Sequence, residues 1–102
     1  MGICIALQTE IGETVELIPD DKQLLHKLLP LPDDEPDSML GWIDWYGNTL
    51  FNHLQMKRFL AEWDELAQRA KTVEEKVLLS RIRELAVRCR EERTLNLRFI
   101  GD

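Results

Sequence analysis

The sequence lacks the features that mark common enzyme classes and membrane proteins. Among its 102 residues the glycines form no phosphate-binding loop, and neither HExxH nor GxSxG occurs. No apolar run approaches the roughly 20 residues that a membrane-spanning helix needs. The N-terminus has neither the basic region nor the long apolar segment of a secretory signal. We therefore expect a cytoplasmic protein with no membrane partner and no cofactor, and no specific motif indicates an enzyme.

Cysteine is scarce, with only Cys4 and Cys89, each inside an apolar run. These residues belong to no CxxC pair and to no metal-ligand spacing, so no metal site is predicted. Because cysteine is among the most often buried residue types, we expect two free, buried thiols. A disulfide would require an oxidising compartment, which nothing in the sequence indicates.

Basic residues are in the minority, since 13 Lys and Arg stand against 19 Asp and Glu, for a net charge of −6. The acidic excess lies in residues 1–37, which hold nine acids against Lys22 and Lys27. An acidic chain repels phosphate backbones, so we do not expect nucleic-acid binding. Arginines near the C-terminus alternate with glutamates, and Glu84 with Arg88 is a stabilising pair four residues apart. We interpret these arginines as a solvated helix face.

Alternation of apolar and other residues predicts strands near both ends of the chain. Residues 3–8 and 14–18 have this period of two, and the short connection between them contains Gly12, as expected for an antiparallel hairpin. Residues 95–99 alternate in the same way. This last strand must join the sheet to bury its apolar side chains, and we place it beside the N-terminal hairpin.

Three segments combine an amphipathic pattern with a helix-start signal. Each begins with a capping-box pair, in which a small polar residue is followed three residues later by Glu or Gln: Asp20–Gln23, Asn52–Gln55 and Thr72–Glu75. The first predicted helix has about ten residues and stops before Pro30. The second continues to Ala70 and the third to about Arg93. Because so few residues connect these two, they are predicted to form an antiparallel pair.

Residues 30–38 contain three prolines and four acids. We interpret them as an exposed loop inside a single domain of residues 1–102, because the segment before the loop is too short to fold alone. The EF-hand spacing and its central glycine are absent, so the acids are interpreted as a solvated charge run.

The chain is organised around residues 40–70, which hold six of its seven aromatic residues. Residues 42–46 are rich in aromatics, and Gly47-Asn48 separates them from residues 49–51. Gly followed by Asn between two strand-like runs matches a two-residue hairpin turn, in which glycine tolerates positive φ. The alternative is a helix that begins at Thr49 after an ordered loop. We favour the hairpin.

The predicted order is β-β-α-β-β-α-α-β. Helices segregated from antiparallel strands define an α+β fold. We expect a small antiparallel sheet with an antiparallel pair of long helices packed on one face.

The hairpin also holds the candidate binding residues, which are Trp42, Asp44, Tyr46, Asn48 and His53. They combine aromatic rings with polar groups that have no assigned structural role, a mixture enriched at interfaces. Alternation puts Trp42 on one face with Asp44 and Tyr46, and Trp45 on the other, so one tryptophan is expected to be buried. Asp44 could orient His53 as a base, but a single histidine in a first helical turn is ordinarily exposed and idle. No catalytic residue is predicted.

Three functions are compatible with this profile. We favour a non-catalytic protein–protein interaction module, such as a small bacterial inhibitor or an immunity-like protein against a basic toxin, because the chain is acidic and lacks catalytic motifs. The first alternative is a small-molecule-binding or enzymatic domain with its site at residues 42–53. The second alternative is a structural homodimer that buries the aromatic surface.

Overall fold

The computed structural model describes residues 2–30 and 38–101 and confirms an α+β fold. The strands are β1 (Cys4–Thr9), β2 (Thr14–Pro19), β3 (Asn48–Asn52) and β4 (Leu95–Ile100). The helices are α1 (Leu25–Leu28), α2 (Met56–Ala67) and α3 (Val73–Glu91), with short 3-10 turns at Leu40–Trp42 and His53–Gln55. Most of the predicted acidic loop, residues 31–37, lies outside the described residues. None of the described helices is both long and apolar enough to cross a lipid bilayer.

The four strands form one antiparallel sheet in the order β2-β1-β4-β3. Residues 10–13 close the β1–β2 hairpin, and Gly12 there has a φ of 89°, which glycine adopts without steric strain. Strand β4 pairs with β1, so that Cys4 lies opposite Ile100. The prediction that the last strand lies beside the N-terminal hairpin is therefore confirmed.

The core lies between one face of the sheet and the helices α2 and α3. Four aromatic rings form its centre, with centroids 5.3 to 6.3 Å apart in the contacting pairs: Phe51, Phe59, Trp63 and Phe99. Ile5 and Leu7 of β1 are fully buried on the same face. Only residues 68–72 connect α2 to α3, and the two helices pack together as the predicted antiparallel pair.

Two of the three predicted capping boxes are present. The Asn52 side chain accepts hydrogen bonds from the amides of Leu54 and Gln55, and the Gln55 side chain accepts one from the Asn52 amide. Thr72 and Glu75 form the same reciprocal pair at the start of α3. These local signals predicted the starts of both long helices because all their partners lie within three residues.

The cap supports a prediction about stability. Replacing Asn52 by alanine should lower the free energy of unfolding by about 0.5–2 kcal/mol, the range for losing a side-chain cap. The control is Asn48→Ala, the same change at an exposed position of β3 whose side chain bonds no described residue. Denaturant unfolding of both variants is the measurement. Equal stability of the two variants would contradict this role for Asn52.

The first predicted helix is much shorter than expected. Only Leu25–Leu28 is helical, because Gln23 has a φ of 55°, in the left-handed region that a right-handed helix cannot contain. The Asp20 carboxylate accepts hydrogen bonds from the amides of Leu24 and Leu25, at 2.9 and 2.8 Å, rather than taking part in a box with Gln23. The prediction of a capping box and of a ten-residue helix at this position was wrong.

The predicted strand over residues 42–46 was also wrong. The chain there forms a 3-10 turn and a loop, and β3 pairs with β4 instead. Among the described glycines only Gly12 has positive φ, so Gly47 does not form the expected hairpin turn. A Cβ at position 47 would lie 2.6 Å from an Asp44 carboxylate oxygen, so a larger residue there would require the Asp44 side chain to shift.

Candidate functional site

The loop that carries the candidate residues is attached to α2 by one carboxylate. Glu62 accepts hydrogen bonds from the Ser38 hydroxyl and from the amides of Met39 and Leu40. Its carboxylate also binds the Arg58 guanidinium at 3.1 Å. Burial raises the pKa of Glu62, but these hydrogen bonds together bring it below its ordinary value. The charged carboxylate therefore holds the start of the 3-10 turn Leu40–Trp42.

The two tryptophans of the loop have different environments. Trp42 is 50% exposed, and the Arg58 guanidinium lies 5.7 Å from its ring centre, within the range of a cation–π contact. Trp45 is half-buried against the core, next to the fully buried Ile43. The predicted grouping, with Ile43 and Trp45 on one side and Trp42 with Asp44 and Tyr46 on the other, agrees with these environments although the segment is not a strand. The sequence left open which tryptophan is buried, and the structure shows Trp45 as the more buried of the two.

Asp44 has a structural role that our sequence reasoning missed. Its carboxylate accepts a hydrogen bond from the Tyr46 amide at 2.9 Å, an Asx turn of the kind that Asp favours. Its own amide donates to the Thr49 hydroxyl at 2.8 Å. No hydrogen bond or ion pair joins Asp44 to His53, both of which are described residues. The Asp44 contacts thus shape the turn that leads into β3.

The five candidate residues follow the loop and β3 rather than converging on one point. Trp42, Asp44, Tyr46 and Asn48 are exposed, with 82% of Tyr46 accessible to solvent. His53 is half-buried and follows the other end of β3, whose last residue, Asn52, lies about 13 Å from Asn48 at a rise of ~3.3 Å per residue. The strand therefore separates His53 from Asn48.

Two exposed apolar residues in the same segment were not among our candidates. Leu50 is 49% exposed and Leu54 is 77% exposed. Alternation contains the signal for Leu50, because Phe51 points into the core and its neighbour in a strand must point away. Leu54 gave no such signal, since it lies in the short 3-10 turn before α2.

Strand β3 forms an edge of the sheet. The Gly101 amide donates to the Gly47 carbonyl at 2.5 Å, and this bond makes Asn48 and Ile100 a non-hydrogen-bonded pair in the antiparallel ladder. By alternation, the backbone amides and carbonyls of Asn48 and Leu50 point away from the sheet. The opposite edge, β2, is protected differently, by an extra residue at Val15 and by Pro19, which has no amide proton.

Two grooves lie away from the candidate segment. One of about 340 Å³ lies beside the start of α3 and includes the exposed Val73 and Val77. The other, of about 580 Å³, is lined by several polar residues, among them Lys27 and Lys71. Neither groove contains a candidate binding residue. Within residues 2–30 and 38–101 no three potential ligand side chains form a metal-binding cluster.

The two cysteines remain free thiols, with Cys4 half-buried and Cys89 buried. Burial raises the pKa of Cys89 to about 11, which keeps its thiol protonated at neutral pH. Cys89 is thus a packing residue of α3, as predicted, while Cys4 is more exposed than expected.

Comparisons of the chain with protein-family models, with curated proteins and with solved structures gave no match. The described residues form an α+β fold with an exposed aromatic and apolar segment along one sheet edge.

Proposed function

We propose that this protein is a non-catalytic protein–protein interaction module, of the inhibitor or immunity-like kind, that binds its partner along residues 42–54. The observation that carries the proposal is the concentration of exposed apolar side chains in this segment. Of the nine large hydrophobic residues exposed in the described chain, four lie there: Trp42, Tyr46, Leu50 and Leu54. We call these four residues the β3 surface. Aromatic residues with a polar group are enriched where proteins meet.

The scaffold beneath this surface supports the proposal. Glu62 attaches the preceding turn to α2, Asp44 closes the loop, and β4 pairs with β3 along its full length. A surface held in place before binding loses little conformational entropy when a partner binds. The amides and carbonyls of Asn48 and Leu50 at the free edge offer the partner backbone hydrogen bonds as well.

The net charge of −6 favours a basic partner at long range. Electrostatic attraction mainly speeds association, and salt screens it over about 8–10 Å. The affinity should therefore fall as the salt concentration rises. The acidic residues 33–37 contribute to this charge in the sequence, although they lie outside the described residues. We place the interaction in the cytoplasm.

The test is a pull-down from cells of the source organism followed by mass spectrometry. The baits are the wild type, a Tyr46→Ala/Leu50→Ala variant of the β3 surface, and a Val73→Ala/Val77→Ala control. The control removes two exposed apolar side chains from the start of α3 instead. We expect the wild type and the control to retain the same partner and the β3-surface variant to lose it. In a titration with that partner, the β3-surface variant should lose about 2 kcal/mol or more of binding free energy, which is a roughly 30-fold weaker affinity.

Two outcomes would count against the proposal. If all three baits captured the partner equally, the β3 surface would not take part in binding. A wild-type dimer that becomes monomeric in the β3-surface variant, measured by light scattering, would favour the homodimer. No contact described above favours a small-molecule or enzymatic site at residues 42–53, so we propose none.

A further inference from the structure

The sheet has a second face, which the described helices leave uncovered. Side chains opposite one another in an antiparallel sheet point to the same side, and neighbours along a strand alternate. Since Ile5, Leu97 and Phe51 point to the helices, the strand register assigns twelve positions to the other side. We call these the outer face: Cys4, Ala6, Gln8, Thr14, Leu17, Pro19, Asn48, Leu50, Asn52, Asn96, Arg98 and Ile100.

The outer face carries one charge. Arg98 lies near its middle, directly opposite Ala6 on one side and Leu50 on the other, with Leu17 beyond Ala6. None of the twelve positions holds a carboxylate. Charged residues on a sheet surface are usually stabilised by an opposite charge across the strands, and Arg98 has none there.

The side chain of Arg98 is half-buried and has no opposite charge beside it among the described residues. Ala6 is fully buried, and its neighbours across the strands are Leu17 and Arg98. The Nε of Arg98 is itself buried and has no hydrogen-bond partner, and no ion pair joins this side chain to a described residue. A buried donor without a partner is rare in proteins, because its desolvation is not compensated.

We infer that Arg98 is the anchor for a carboxylate of the protein partner, an Asp or Glu side chain within an apolar segment. The planar guanidinium matches a carboxylate with two parallel hydrogen bonds, and such pairs are strong where water is excluded. Leu17 and Leu50, each about half exposed, provide apolar contacts on both sides of the arginine. Leu50 also belongs to the β3 surface, so this inference rests on the proposed function and extends that contact onto the outer face.

The charges exclude two other occupants. If the outer face of a second copy packed here, both Arg98 side chains would be covered with no carboxylate from either face to pair with them. A nucleic acid would meet one arginine on a chain with a net charge of −6, and the other charges would repel its phosphates. A partner with a positive net charge still fits, because one carboxylate suffices to pair with Arg98.

The test uses a displayed library of random peptides selected on the immobilised wild-type chain. We expect the enriched peptides to carry Asp or Glu flanked by apolar residues. Binding of a selected peptide should fall by roughly 10- to 100-fold on Arg98→Gln, the range for losing a hydrogen bond to a charged group. Replacing the peptide's acid by its amide should cause the same loss, with little further loss on Arg98→Gln, because the two changes remove one interaction.

Arg90→Gln, the same change at an exposed position of α3, is the control and should leave binding unchanged. Arg98→Lys keeps the charge but loses the planar fork, so it should weaken binding by less, and it replaces Arg98→Gln if that variant does not fold. The inference would be overturned if the enriched peptides lacked Asp and Glu, or if no peptide were selected. It would also be overturned if binding required the peptide's acid but were unchanged by substitution of Arg98. Peptides that require Tyr46 and Leu50 but not Arg98 would overturn it while leaving the proposed function intact.

Discussion

Replacing Trp63 by alanine should lower the free energy of unfolding by about 3–5 kcal/mol, the range for removing a large aromatic residue from a core. Trp63 is fully buried, and its ring stacks on Phe59 with centroids 5.3 Å apart. Its indole nitrogen also donates to the Leu79 carbonyl at 3.0 Å, which joins α2 to α3. The variant loses apolar burial and the hydrogen bond between the two helices, so both effects have the same sign.

Trp42→Ala is the matched control, because it removes the same side chain from a half-exposed position. Its loss should be about 1 kcal/mol or less, since the contact with Arg58 is an exposed cation–π pair. Denaturant unfolding of the two variants gives the comparison. If both substitutions reduced stability equally, the aromatic cluster would not be the centre of the core. The loss expected for Trp63→Ala is a large part of the total stability of about 5–15 kcal/mol that such domains have.

The second large effect concerns Glu62, whose pKa lies below its ordinary value of 4.5 in the folded chain. A carboxylate with a lowered folded pKa stabilises the protein above its unfolded pKa, and this contribution is lost as the pH falls through the folded pKa. At pH 7, Glu62→Gln should therefore lower the free energy of unfolding by about 1.5–3 kcal/mol, the magnitude for hydrogen bonds to a charged group. The difference from the wild type should shrink as the pH falls below 4.5 and disappear below the folded pKa.

Urea unfolding at a series of pH values measures this effect. Glu65→Gln is the control, an exposed acid on the same helix whose side chain bonds no described residue. If Glu62→Gln lowered the free energy of unfolding by the same amount throughout the acidic range, the shape of the Glu62 side chain rather than its charge would hold Met39 and Leu40. The variant should also weaken partner binding, because the loop that carries Trp42 would lose its attachment to α2.

The helix starts were predictable from the sequence because the physics of a cap is local. The Asn52 side chain accepts a hydrogen bond from the Gln55 amide, and the Gln55 side chain accepts one from the Asn52 amide. Neither bond depends on distant parts of the chain. The same pattern failed at Asp20, where the left-handed backbone of Gln23 moved the start of the helix to Leu25. A preference for helix in a short segment is weak, and tertiary contacts override it.

The strand predicted over residues 42–46 failed for a non-local reason. Alternation correctly separated Trp42 from Ile43, but alternation alone does not show whether a segment finds a hydrogen-bonded neighbour. Here Glu62, about twenty residues later, binds the amides of Met39 and Leu40 and holds the chain in a turn. Strand β3 pairs with β4, which lies beyond both long helices in the sequence.

The candidate site was predictable only in part for the same reason. Local alternation correctly grouped Trp42 with Tyr46 but did not show that this group is the exposed one. The Asx turn at Asp44 was missed, although Asp is a residue type that favours it. The lack of an opposite charge beside Arg98 does not follow from any local pattern. It depends on the strand order, which places β1 and β3 on either side of β4 and so surrounds the arginine with Ala6 and Leu50.

The pairing of β1 with β4 has a consequence for the nascent chain. The first strand leaves the ribosome about 90 residues before its central neighbour, a delay of roughly 5–18 s at ~5–20 residues per second. During that time β1 has only β2 beside it, and an isolated two-stranded hairpin is marginally stable in water. Ile5 and Leu7 therefore stay accessible to chaperones and to other chains until β4 emerges, and they become protected only when Leu97 and Phe99 lie opposite them.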